Sequence, residues 1–578
     1  MRKREQNNGI TVNVIAGTYV VFFGLDIQSS IKKGFRGFAI KRKDHSDGEE
    51  VWLRGLKTFE ATEPHPAPGE TYSSFKHPIQ GFQWADYTAK PGYNYTYTIV
   101  CMYGRPSSLE PRRQVEVEIQ TEKEIGSTHS VFFNRGSVAT QEYARRFQNK
   151  KPSEAGTGAY EWLSRGLLEA LIAFINRAKK GDFLYGAIYE FQYGITNEFQ
   201  YDDVLSALKD AKKRGVTVKI LFDDVEQYDG QGKPKGPWRE NRIAIENAQI
   251  KGLCKGRSNA KLMHNKFLVL NDGKKNIAVW TGSTNLTENG IFGHSNLGHI
   301  VEDEKVSNSF MAYWERLNDD LEIAAEYRNA NMKASPVPEE LKSGTTVIFS
   351  PRGTKLDSLE WYAELADQAQ NALFMTFAFG MHEKFKTVYR KKDTVLRMAL
   401  MEKAFASPSV KDRDEKDIQQ IRNLSNTIVA IGNRIKTNAF DRWLAEIDRI
   451  IPRLHVYWIH TKYMLIDPLG DEPIVISGSA NFSKASTDTN DENMLIIKGD
   501  KRIADIYFGE YMRLFSHYSF REAVKWAMER KKLGKPENWT PQYLDDTDDW
   551  MQDYFEETDD KSARCLRRKY FSGPMALN

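Results

Sequence analysis

The sequence has little cysteine, no long apolar run and almost no net charge. Its three cysteines, Cys101, Cys254 and Cys565, are far apart and form no CxxC pair, so neither a disulfide framework nor a thiolate zinc site is expected. The best candidate for a membrane span, 167–175, is interrupted by Glu169 and is shorter than the roughly 20 residues that such a helix needs. The net charge of +4 does not indicate a protein that coats nucleic acid over its whole surface.

What is present indicates a folded protein with several domains. The chain has 578 residues, 40% of them hydrophobic and 12% aromatic, which suffices for about two to four domains. The first ten residues, MRKREQNNGI, begin with basic side chains but are not followed by an apolar segment, so they do not predict a signal peptide. Together with the scarce cysteines, this pattern predicts a cytoplasmic protein.

Residues 1–125 are predicted to form a β-sandwich-like accessory domain. Short runs of β-branched and aromatic residues there are separated by Gly, Pro, Asp and Ser. In 93–101, tyrosine, isoleucine and cysteine alternate with asparagine and threonine, which is the pattern of a strand with one buried face. The stretch AKPGYNYTY resembles the turn and strand near the end of a fibronectin type III sandwich. The expected role is that of a scaffold or a docking module for a protein partner.

The rest of the chain is predicted to be α/β, with one order of elements used twice. A polar linker at 126–157 leads into lobe 1 at 158–330, where strand-like runs such as FLYGAIYEF and TVKILFDD alternate with helical runs. Lobe 2 at 331–530 repeats this order. Alternation of this kind predicts mostly parallel sheets that are covered by helices.

Two charged segments fall outside the repeated pattern. Residues 401–443 make the second lobe longer than the first and are predicted to be a helical insertion. Such an insertion either borders the active site or is a solvated pair of helices, and the sequence leaves both readings open. Residues 531–578 are acidic and then basic, which predicts a charged C-terminal extension with a solvated surface.

Two stretches with matching polar residues carry the strongest signal in the sequence. The first, HNKFLVLNDGKKNIAVWTGSTN, begins at His264, and the second, HTKYMLIDPLGDEPIVISGSAN, begins at His460. The histidines are 460 − 264 = 196 residues apart, and the same offset separates four further pairs. These pairs are Lys266 and Lys462, Gly282 and Gly478, Ser283 and Ser479, and Asn285 and Asn481. A constant offset over five positions indicates an internal duplication.

The residue types in each stretch suit the binding of an anion. In HxK on a strand, histidine and lysine are two residues apart, so both side chains leave the same face of the sheet. The GSxN turn supplies a glycine that lets the backbone approach a ligand, together with hydroxyl, amide and backbone donors. Two such clusters facing each other would surround one phosphate with two lysines, two asparagines and two histidines.

HxKxxxxD followed by GSxN, present twice, resembles the signature of the phospholipase D superfamily. The resemblance covers roughly residues 155–520 and implies a duplicated two-lobed domain, with mixed sheets covered by helices, in which one chain holds a complete site. It implies a phosphodiester hydrolase in which one histidine attacks phosphorus to form a phosphohistidine, while the other protonates the leaving oxygen and then activates water. The implied catalytic residues are His264, Lys266, Asn285, His460, Lys462, Asn481 and Glu492, with phosphate binding by Ser283, Ser479, Lys266 and Lys462 and structural roles for Asp467, Gly282 and Gly478. No cofactor is implied.

A zinc site is the alternative use of the histidines in this region. His264, His294, His299 and His460 would be the ligands. However, a lysine two residues after each motif histidine would repel a cation, and no cysteine or carboxylate completes a tetrahedral set. A metal-independent reaction is therefore expected.

The two units differ at the aspartate of HxKxxxxD. The second unit has Asp467 at this position, whereas the first has Asn271 followed by Asp272. Because this aspartate is structural in the superfamily, the resemblance implies that the change need not abolish activity.

The two units also differ in the residue that orients a catalytic histidine. The sequence TNDENMLII places Glu492 at the acidic position of the superfamily, while GHSNLGHIV has Ser295 near the corresponding position. A carboxylate raises the basicity of an imidazole and stabilises its cation. Glu492 is therefore predicted to orient His460, with His460 as acid and base and His264 as nucleophile.

The substrate is predicted to be DNA or RNA, in part because the second motif resembles the nuclease-like branch of the superfamily. Basic stretches at Ala211–Lys219, Lys233–Asn241 and Arg390–Lys392 would flank a groove that follows a phosphate backbone. The alternatives are a phospholipase D that hydrolyses glycerophospholipids and an inactive module that only binds phosphate. Since both lobes lie on one chain, a monomer would suffice for one complete site.

Overall fold

A computed structural model describes most of the chain. The described residues are 1–67, 69–136, 140–148, 150, 152–192, 203–353, 357–432, 459–532, 542–556 and 563–573. They form an N-terminal β domain, two α/β lobes and two C-terminal segments.

The N-terminal domain consists of two four-stranded antiparallel sheets, with strand orders β1-β2-β3-β8 and β10-β9-β4-β5. Apolar side chains from both sheets share one core, as expected for a sandwich. The strands are β1 (Arg2–Asn7), β2 (Ile10–Ala16), β3 (Val21–Ile27), β4 (Phe35–Asp44), β5 (Glu50–Trp52), β6 (Arg54–Gly55), β7 (Tyr72–Ser73), β8 (Gln83–Asp86), β9 (Asn94–Arg105) and β10 (Ser108–Gln120).

The first lobe is built on a seven-stranded mixed sheet with the order β11-β19-β18-β17-β12-β13-β16. Its strands, with the small hairpin β14 and β15, are β11 (His129–Phe133), β12 (Phe183–Ile188), β13 (Thr217–Asp223), β14 (Gln227–Tyr228), β15 (Pro234–Lys235), β16 (Cys254–Arg257), β17 (Lys266–Asn271), β18 (Asn276–Gly282) and β19 (Leu297–Val301). Its helices are α1 (Thr140–Phe147), α2 (Pro152–Ala155), α3 (Thr157–Ser164), α4 (Leu167–Asn176), α5 (Val204–Lys213), α6 (Trp238–Asn247), α7 (Glu304–Asn318) and α8 (Ala325–Ala334).

The second lobe has a second seven-stranded sheet, in the order β20-β26-β25-β24-β21-β22-β23. The strands are β20 (Gly344–Ser350), β21 (Ala372–Phe377), β22 (Leu396–Met401), β23 (Thr427–Ile431), β24 (Tyr463–Ile466), β25 (Ile474–Gly478) and β26 (Glu492–Lys498). The helices of this lobe and of the C-terminal segments are α9 (Asp357–Asp367), α10 (Glu383–Tyr389), α11 (Lys411–Arg422), α12 (Lys484–Asp488), α13 (Lys501–Lys532), α14 (Gln552–Phe555) and α15 (Ala563–Phe571).

The two sheets are the same structure used twice, as the constant sequence offset predicts. Each sheet pairs three strands in parallel at one end, β12, β13 and β16 in lobe 1 and β21, β22 and β23 in lobe 2. The HxK strand beside them and the remaining strands pair antiparallel, so the prediction of mostly parallel sheets is wrong. Helices cover both faces of each sheet and bury four apolar clusters. The predicted fold class, a duplicated α/β domain preceded by a β sandwich, is confirmed.

The first sheet begins earlier than the sequence suggests. Strand β11 lies inside the predicted linker at 126–157, and it pairs with β19 in the register His129 to Val301. The linker prediction is corrected for this strand: its neighbours in sequence are polar, which concealed a short run of buried residues at 129–133.

The predicted helical insertion at 401–443 contains parts of the repeated fold. Helix α11 and strand β23 occupy the positions that α6 and β16 hold in lobe 1, and β23 pairs in parallel with β22. Within the described residues this segment is therefore helical only in part, while 433–443 lies outside them. The edge strand β23 was not predicted because the surrounding residues of this segment are charged.

The C-terminal segments return to the N-terminal domain. Trp550 and Tyr554 pack against Phe82, and Phe571 packs against Phe22. The predicted charged extension thus contributes the half-buried Trp550 and Tyr554 and the buried Phe571 to contacts with the sandwich. Among the described residues, no helix is both long enough and apolar enough to cross a membrane.

Candidate active site

The two HxK motifs meet where the lobes pair with each other through single β-bridges. Met263, which precedes the first motif, pairs with Asp491 of lobe 2, and Ile459, which precedes the second, pairs with Ser295 of lobe 1. The backbone N–H of His264 donates to the carbonyl of Asp491 at 3.0 Å. Each catalytic segment is therefore held by the opposite lobe, and the two bridges are related by the same offset of 196, since 459 − 263 and 491 − 295 both equal 196.

The first histidine is oriented by a carboxylate from the other lobe. Nδ1 of His264 lies 2.8 Å from Oε2 of Glu492, and both side chains are buried. A carboxylate can only accept, so Nδ1 carries the proton and Nε2 presents a lone pair. The ring also packs edge-to-face on Tyr189, with centroids 4.8 Å apart.

The second histidine is oriented by an amide from the other lobe. Nδ1 of His460 lies 2.9 Å from Oδ1 of Asn296. The amide orientation is fixed because Nδ2 of Asn296 donates to the carbonyl of Gly290 at 2.7 Å and Oδ1 also accepts from the hydroxyl of Ser283 at 2.8 Å. Nδ1 of His460 must therefore donate, and its Nε2 also presents a lone pair.

This crossed arrangement corrects the predicted pairing of Glu492 with His460. Glu492 orients His264, for which the sequence suggested a hydroxyl near Ser295 or another residue, and Asn296 orients His460. The sequence contained a signal for Asn296, because 492 − 296 equals 196. Each histidine takes its partner from the other lobe, at equivalent positions of the repeat.

Burial makes both histidines weak bases in the free protein. It lowers the pKa of His264 to about 4, while the charge of Glu492 acts in the opposite direction. Burial and then the charge of Lys462 hold the pKa of His460 well below its ordinary value, and Lys266 and His264 add to the effect. Charges from both motifs thus act on one ring, as expected if the two motifs share one cleft.

Two buried lysines supply the positive charge of the site. The ammonium groups of Lys266 and Lys462 donate to the carbonyls of His264 and His460, at 2.7 and 2.6 Å. Burial lowers the pKa of Lys266 to about 8, and burial together with the charge of Lys266 holds the pKa of Lys462 well below its ordinary value. A bound anion would relieve this repulsion, which favours phosphate binding.

One acidic residue of the site was missed by the sequence reasoning. The carboxylate of Glu190 accepts from Nδ2 of the motif residue Asn285 at 2.7 Å. Burial raises the pKa of Glu190, and the charges of Lys266 and Lys462 act against the burial. No motif includes this glutamate, which lies two residues after the end of β12.

The site matches a family model. The model described as "Cardiolipin synthase, PLD-like domain" matches residues 171–318 and 413–515, which include both HxK motifs and both GSxN turns. The chain belongs to the phospholipase D superfamily. It is accordingly an enzyme that handles phosphodiesters.

Solved structures that match parts of this chain include a synthase, a phospholipase D family member and a kinase. A phosphatidylserine synthase from Haemophilus influenzae is 15% identical over 64% of this chain and 92% of its own, with a TM-score of 0.41. The phospholipase D family member Nuc from Salmonella typhimurium is 24% identical over 26% of this chain and 86% of its own, with a TM-score of 0.21. A polyphosphate kinase from Porphyromonas gingivalis is 13% identical over 58% of this chain, with a TM-score of 0.36, and the match spans only 43% of that kinase. A comparison with curated protein sequences found no match.

The hydroxyls of two predicted phosphate ligands, Ser283 and Ser479, contact neighbouring groups of the protein. The hydroxyl of Ser283 donates to Asn296 and accepts the backbone N–H of Leu297 at 3.2 Å, and the hydroxyl of Ser479 accepts the N–H of Asn493 at 3.0 Å. Both serines are fully buried. Their hydroxyls hold the turn against the neighbouring strand, and phosphate binding by these serines stays a prediction.

The glycines of GSxN permit a close approach of two strands. A Cβ atom at Gly282 would lie 2.3 Å from the carbonyl oxygen of Leu297, and one at Gly478 would lie 2.2 Å from that of Asn493. Gly282 also has a φ of +148°. At both glycines the close neighbour is backbone of the adjacent strand, which leaves no room for a Cβ atom.

The aspartate of HxKxxxxD stabilises a loop at the far end of its strand. The carboxylate of Asp467 accepts the backbone N–H groups of Gln370, Asn371 and Ala372 at 2.7–2.8 Å. In the first unit, Oδ1 of Asn271 accepts a single N–H, from Gly273. Neither side chain touches the histidines, which accords with the structural role that the superfamily resemblance implies for this position.

Of the four histidines of the alternative zinc site, His294 and His460 lie near each other, with ring centroids 5.7 Å apart, whereas His299 makes separate contacts. His299 lies between His129 and the hydroxyl of Tyr507, at 2.9 and 3.0 Å, away from the Glu492 and Asn296 partners. In the described part of the chain, the cluster with metal-ligand spacing is Glu383, Asp414 and Asp417. The ammonium group of Lys386 lies 2.8 Å from all three carboxylates and occupies their centre.

Proposed function

We propose that the protein hydrolyses phosphodiester bonds without a metal ion, through a covalent phosphohistidine, and that its substrate is a nucleic acid. The observation that carries the proposal is the pair of histidines whose Nδ1 atoms are both held by acceptors from the opposite lobe. This arrangement directs both Nε2 lone pairs away from their partners, and a buried lysine donates to the backbone carbonyl of each histidine. Nucleophilic attack and general-base catalysis need such oriented, unprotonated nitrogens.

In the first step His264 is the nucleophile. Its Nε2 attacks phosphorus, and the bond between phosphorus and the leaving oxygen breaks. The ring becomes cationic as the N–P bond forms, and the carboxylate of Glu492, 2.8 Å from Nδ1, stabilises that charge. His460 has only the neutral amide of Asn296 at this position, so His264 suits the attacking role better.

His460 transfers the proton in both steps. Binding of an anionic diester raises the pKa of His460, so that its Nε2 carries a proton and gives it to the leaving oxygen. In the second step the same Nε2 takes a proton from water, whose oxygen attacks phosphorus. The N–P bond then breaks, His264 recovers its lone pair, and one phosphate monoester and one alcohol are released.

The lysines and asparagines of the motifs stabilise the phosphoryl group. Lys266 and Lys462 would neutralise the charge on its oxygens, and the amides of Asn285 and Asn481 would donate to them. Glu190 already accepts from Asn285, which fixes one amide before a substrate arrives. Such donors act strongly where water is excluded.

One of the three predicted basic stretches lies near the site, and its positive charge supports a nucleic-acid substrate. Lys233 and Lys235 lie exposed on the β14–β15 hairpin, which follows the catalytic end of β13, and Gln227 of this hairpin donates to the carbonyl of Lys261, three residues before His264. These lysines are placed to contact a phosphate backbone that leaves the cleft.

The other two basic stretches lie away from the cleft. Lys212 and Lys213 precede the opposite end of β13, about 20 Å from its catalytic end. Arg390 and Lys391 precede β22 at its far end and are paired with Asp417 and Asp367. The prediction that these two stretches flank the groove is therefore corrected.

A phospholipid substrate is the second candidate. It is favoured by the description of the matching family model, which names a cardiolipin synthase. The reaction at phosphorus would be the same, and the leaving group would be the alcohol of a glycerophospholipid. A module that binds phosphate without turnover is the remaining alternative.

A turnover panel tests these possibilities. Plasmid DNA, single-stranded DNA, RNA, phosphatidylcholine and bis(p-nitrophenyl) phosphate are each incubated with the protein in EDTA. We expect cleavage of nucleic acid and of the generic diester, and loss of both by at least about 10³-fold in His264→Ala and in His460→Ala. His45→Ala, a change at an exposed histidine of the sandwich, is the matched control. Cleavage of phosphatidylcholine alone would favour the phospholipid substrate. If no substrate is cleaved, the result would favour a module that binds phosphate without turnover.

A further inference from the structure

Each lobe contains a buried carboxylate that touches the backbone of the residue preceding its catalytic histidine. Oδ2 of Asp223 accepts the N–H of Met263 at 2.7 Å, and Oε2 of Glu402 accepts the N–H of Ile459 at 2.9 Å. Asp223 is 1% exposed and Glu402 3% exposed. The two contacts are equivalent in the repeat, because Met263 and Ile459 are 196 residues apart.

The geometry of the bridges explains why these carboxylates are needed. Successive N–H groups of an extended chain point to opposite sides. The N–H of His264 faces lobe 2, where it donates to Asp491, so the N–H of Met263 faces away from lobe 2. In the second lobe, His460 donates its N–H to Oγ of Ser295 and Ile459 faces the other way. The carboxylates therefore satisfy donors that no strand reaches.

The two carboxylates come from equivalent positions at the ends of the central parallel strands. Asp223 follows Phe222, which pairs with Ile188, and Glu402 follows Met401, which pairs with Phe377 in the same register of the other sheet. Their burial is costly for a charged group. It raises the pKa of Asp223 to about 7 and that of Glu402 to about 8, against the opposing effect of the backbone donors.

We infer that Asp223 and Glu402 are positioning residues, each of which fixes the backbone that carries one catalytic histidine. One side of each segment is held by the opposite lobe and the other side by the carboxylate of its own lobe. The inference rests on the proposed function and adds two residues to it, neither of which belongs to the HxK or GSxN motifs. A displacement of the reacting atoms by about 1 Å can cost about 10²-fold in rate. Loss of the hydrogen bond from either carboxylate should therefore lower kcat.

The test compares variants that remove the side-chain acceptor of the backbone N–H with variants that keep it. Asp223→Ala and Glu402→Ala leave a buried N–H without a partner, whereas Asp223→Asn and Glu402→Gln retain an oxygen that can accept it. With bis(p-nitrophenyl) phosphate, we expect the alanine variants to lose about 10²-fold in kcat with KM changed by less than about threefold, and the amide variants to recover most of that loss. A merely structural role would not produce this split or this rescue.

Matched controls are available in the same chain. Glu522 is a buried carboxylate that accepts the N–H of Ile431 at 3.1 Å, and Asp86 is a buried carboxylate that accepts the N–H of Thr88 at 2.8 Å in the sandwich. Glu522→Gln and Asp86→Asn should leave kcat within about twofold. Circular dichroism and thermal melting establish that each variant is folded.

Hydrogen exchange gives a measurement that needs no substrate. The amide of Met263 should exchange at least about tenfold faster in Asp223→Ala, and that of Ile459 in Glu402→Ala, with no change in the two controls. Unchanged exchange would overturn the inference, and so would faster exchange with kcat unchanged in a folded, active variant. If the wild-type protein has no turnover, the proposed function fails, while the exchange result still decides whether the carboxylates hold these segments.

Discussion

Glu492 of the second lobe accepts the Nδ1 proton of His264 of the first lobe at 2.8 Å, and Asn296 makes the reciprocal contact with His460. The active site is therefore assembled by exchange of partners across the lobe interface. Neither lobe orients its own histidine, so separation of the lobes would disorder both rings at once. The chemical difference between a carboxylate and an amide at these positions distinguishes the roles of the two histidines.

Replacement of the carboxylate should impair attack by His264. In Glu492→Gln the ring keeps an acceptor of similar shape but loses the negative charge that stabilises its cationic, phosphorylated form. We expect kcat for bis(p-nitrophenyl) phosphate to fall by about 10²-fold or more, while KM changes little. Pre-steady-state and steady-state kinetics check this. Glu472→Gln, a change at an exposed glutamate of the same lobe, is the control, and an unchanged kcat in Glu492→Gln would contradict the assignment.

A carboxylate in place of the amide of Asn296 should raise the pKa of His460. In Asn296→Asp a negative charge replaces the amide oxygen 2.9 Å from Nδ1 of His460, which favours the imidazolium. We expect the pKa of His460, followed by NMR of the ring protons, to rise by about one unit or more. Asn296→Ala removes the acceptor without adding charge and should not raise it. A pKa that is the same in Asn296→Asp and in the wild type would contradict the contact.

The charge of Lys266 should set an alkaline limit to substrate binding. Burial lowers the pKa of Lys266 to about 8, so this lysine loses its positive charge as the pH rises through about 8. The diester bis(p-nitrophenyl) phosphate keeps one negative charge throughout, so its KM should increase above about pH 8. In Lys266→Arg the guanidinium stays charged, and the increase should be absent even if kcat is lower. A KM that is constant from pH 6 to 10 in the wild type would contradict this role.

The hairpin lysines should matter for nucleic acid but not for a small diester. Lys233→Ala with Lys235→Ala removes two exposed charges beside the cleft, and we expect weaker DNA binding with a salt dependence reduced by about two ions. Hydrolysis of bis(p-nitrophenyl) phosphate should not change. Lys212→Ala with Lys213→Ala, at the opposite end of β13, is the control. Equal effects of both double variants would contradict a groove at the hairpin.

The ionisation of Asp223 should make stability depend on pH. Burial raises its pKa from 3.8 to about 7, and the neighbouring carboxylates of Asp491 and Asp224 contribute. A carboxyl group with a raised pKa retains its proton in the folded state while the unfolded chain releases it. It therefore destabilises the fold as the pH rises from about 4 to about 7, by at most about 4 kcal/mol. Asp223→Asn should reduce the fall of the thermal midpoint over this interval, and an identical fall in both proteins would contradict the raised pKa.

The features that depend on the internal repeat and on local patterns could be predicted from the sequence. The offset of 196 located both histidines, both lysines and both turns, and the alternation of strands and helices predicted the two sheets. The edge strands at 129–133 and 427–431 were missed because polar or charged residues surround short buried runs. Pattern reasoning detects long periodic elements better than such strands.

The partners of the catalytic histidines depend on how the lobes dock, which no local pattern contains. Glu492 was placed correctly in its own lobe, but its target lies in the other. Asp223 and Glu402 could not be found through the motif offset, because 402 − 223 equals 179 and not 196. The connection between these strands and the HxK strands differs in length between the lobes, so only the sheet register shows that the two residues are equivalent.

The central claim is that His264 becomes covalently phosphorylated while His460 transfers the proton. The most direct test is to mix a labelled diester with wild-type protein and with His460→Ala, quench at neutral or alkaline pH, and locate the label by mass spectrometry of peptides. With a p-nitrophenyl diester, whose leaving group departs without a proton, we predict a phosphorylated His264 that accumulates in His460→Ala, because the proposed base for water is missing there, and no label in His264→Ala. Label on His460 in the wild-type protein, or full turnover by His264→Ala, would contradict the account.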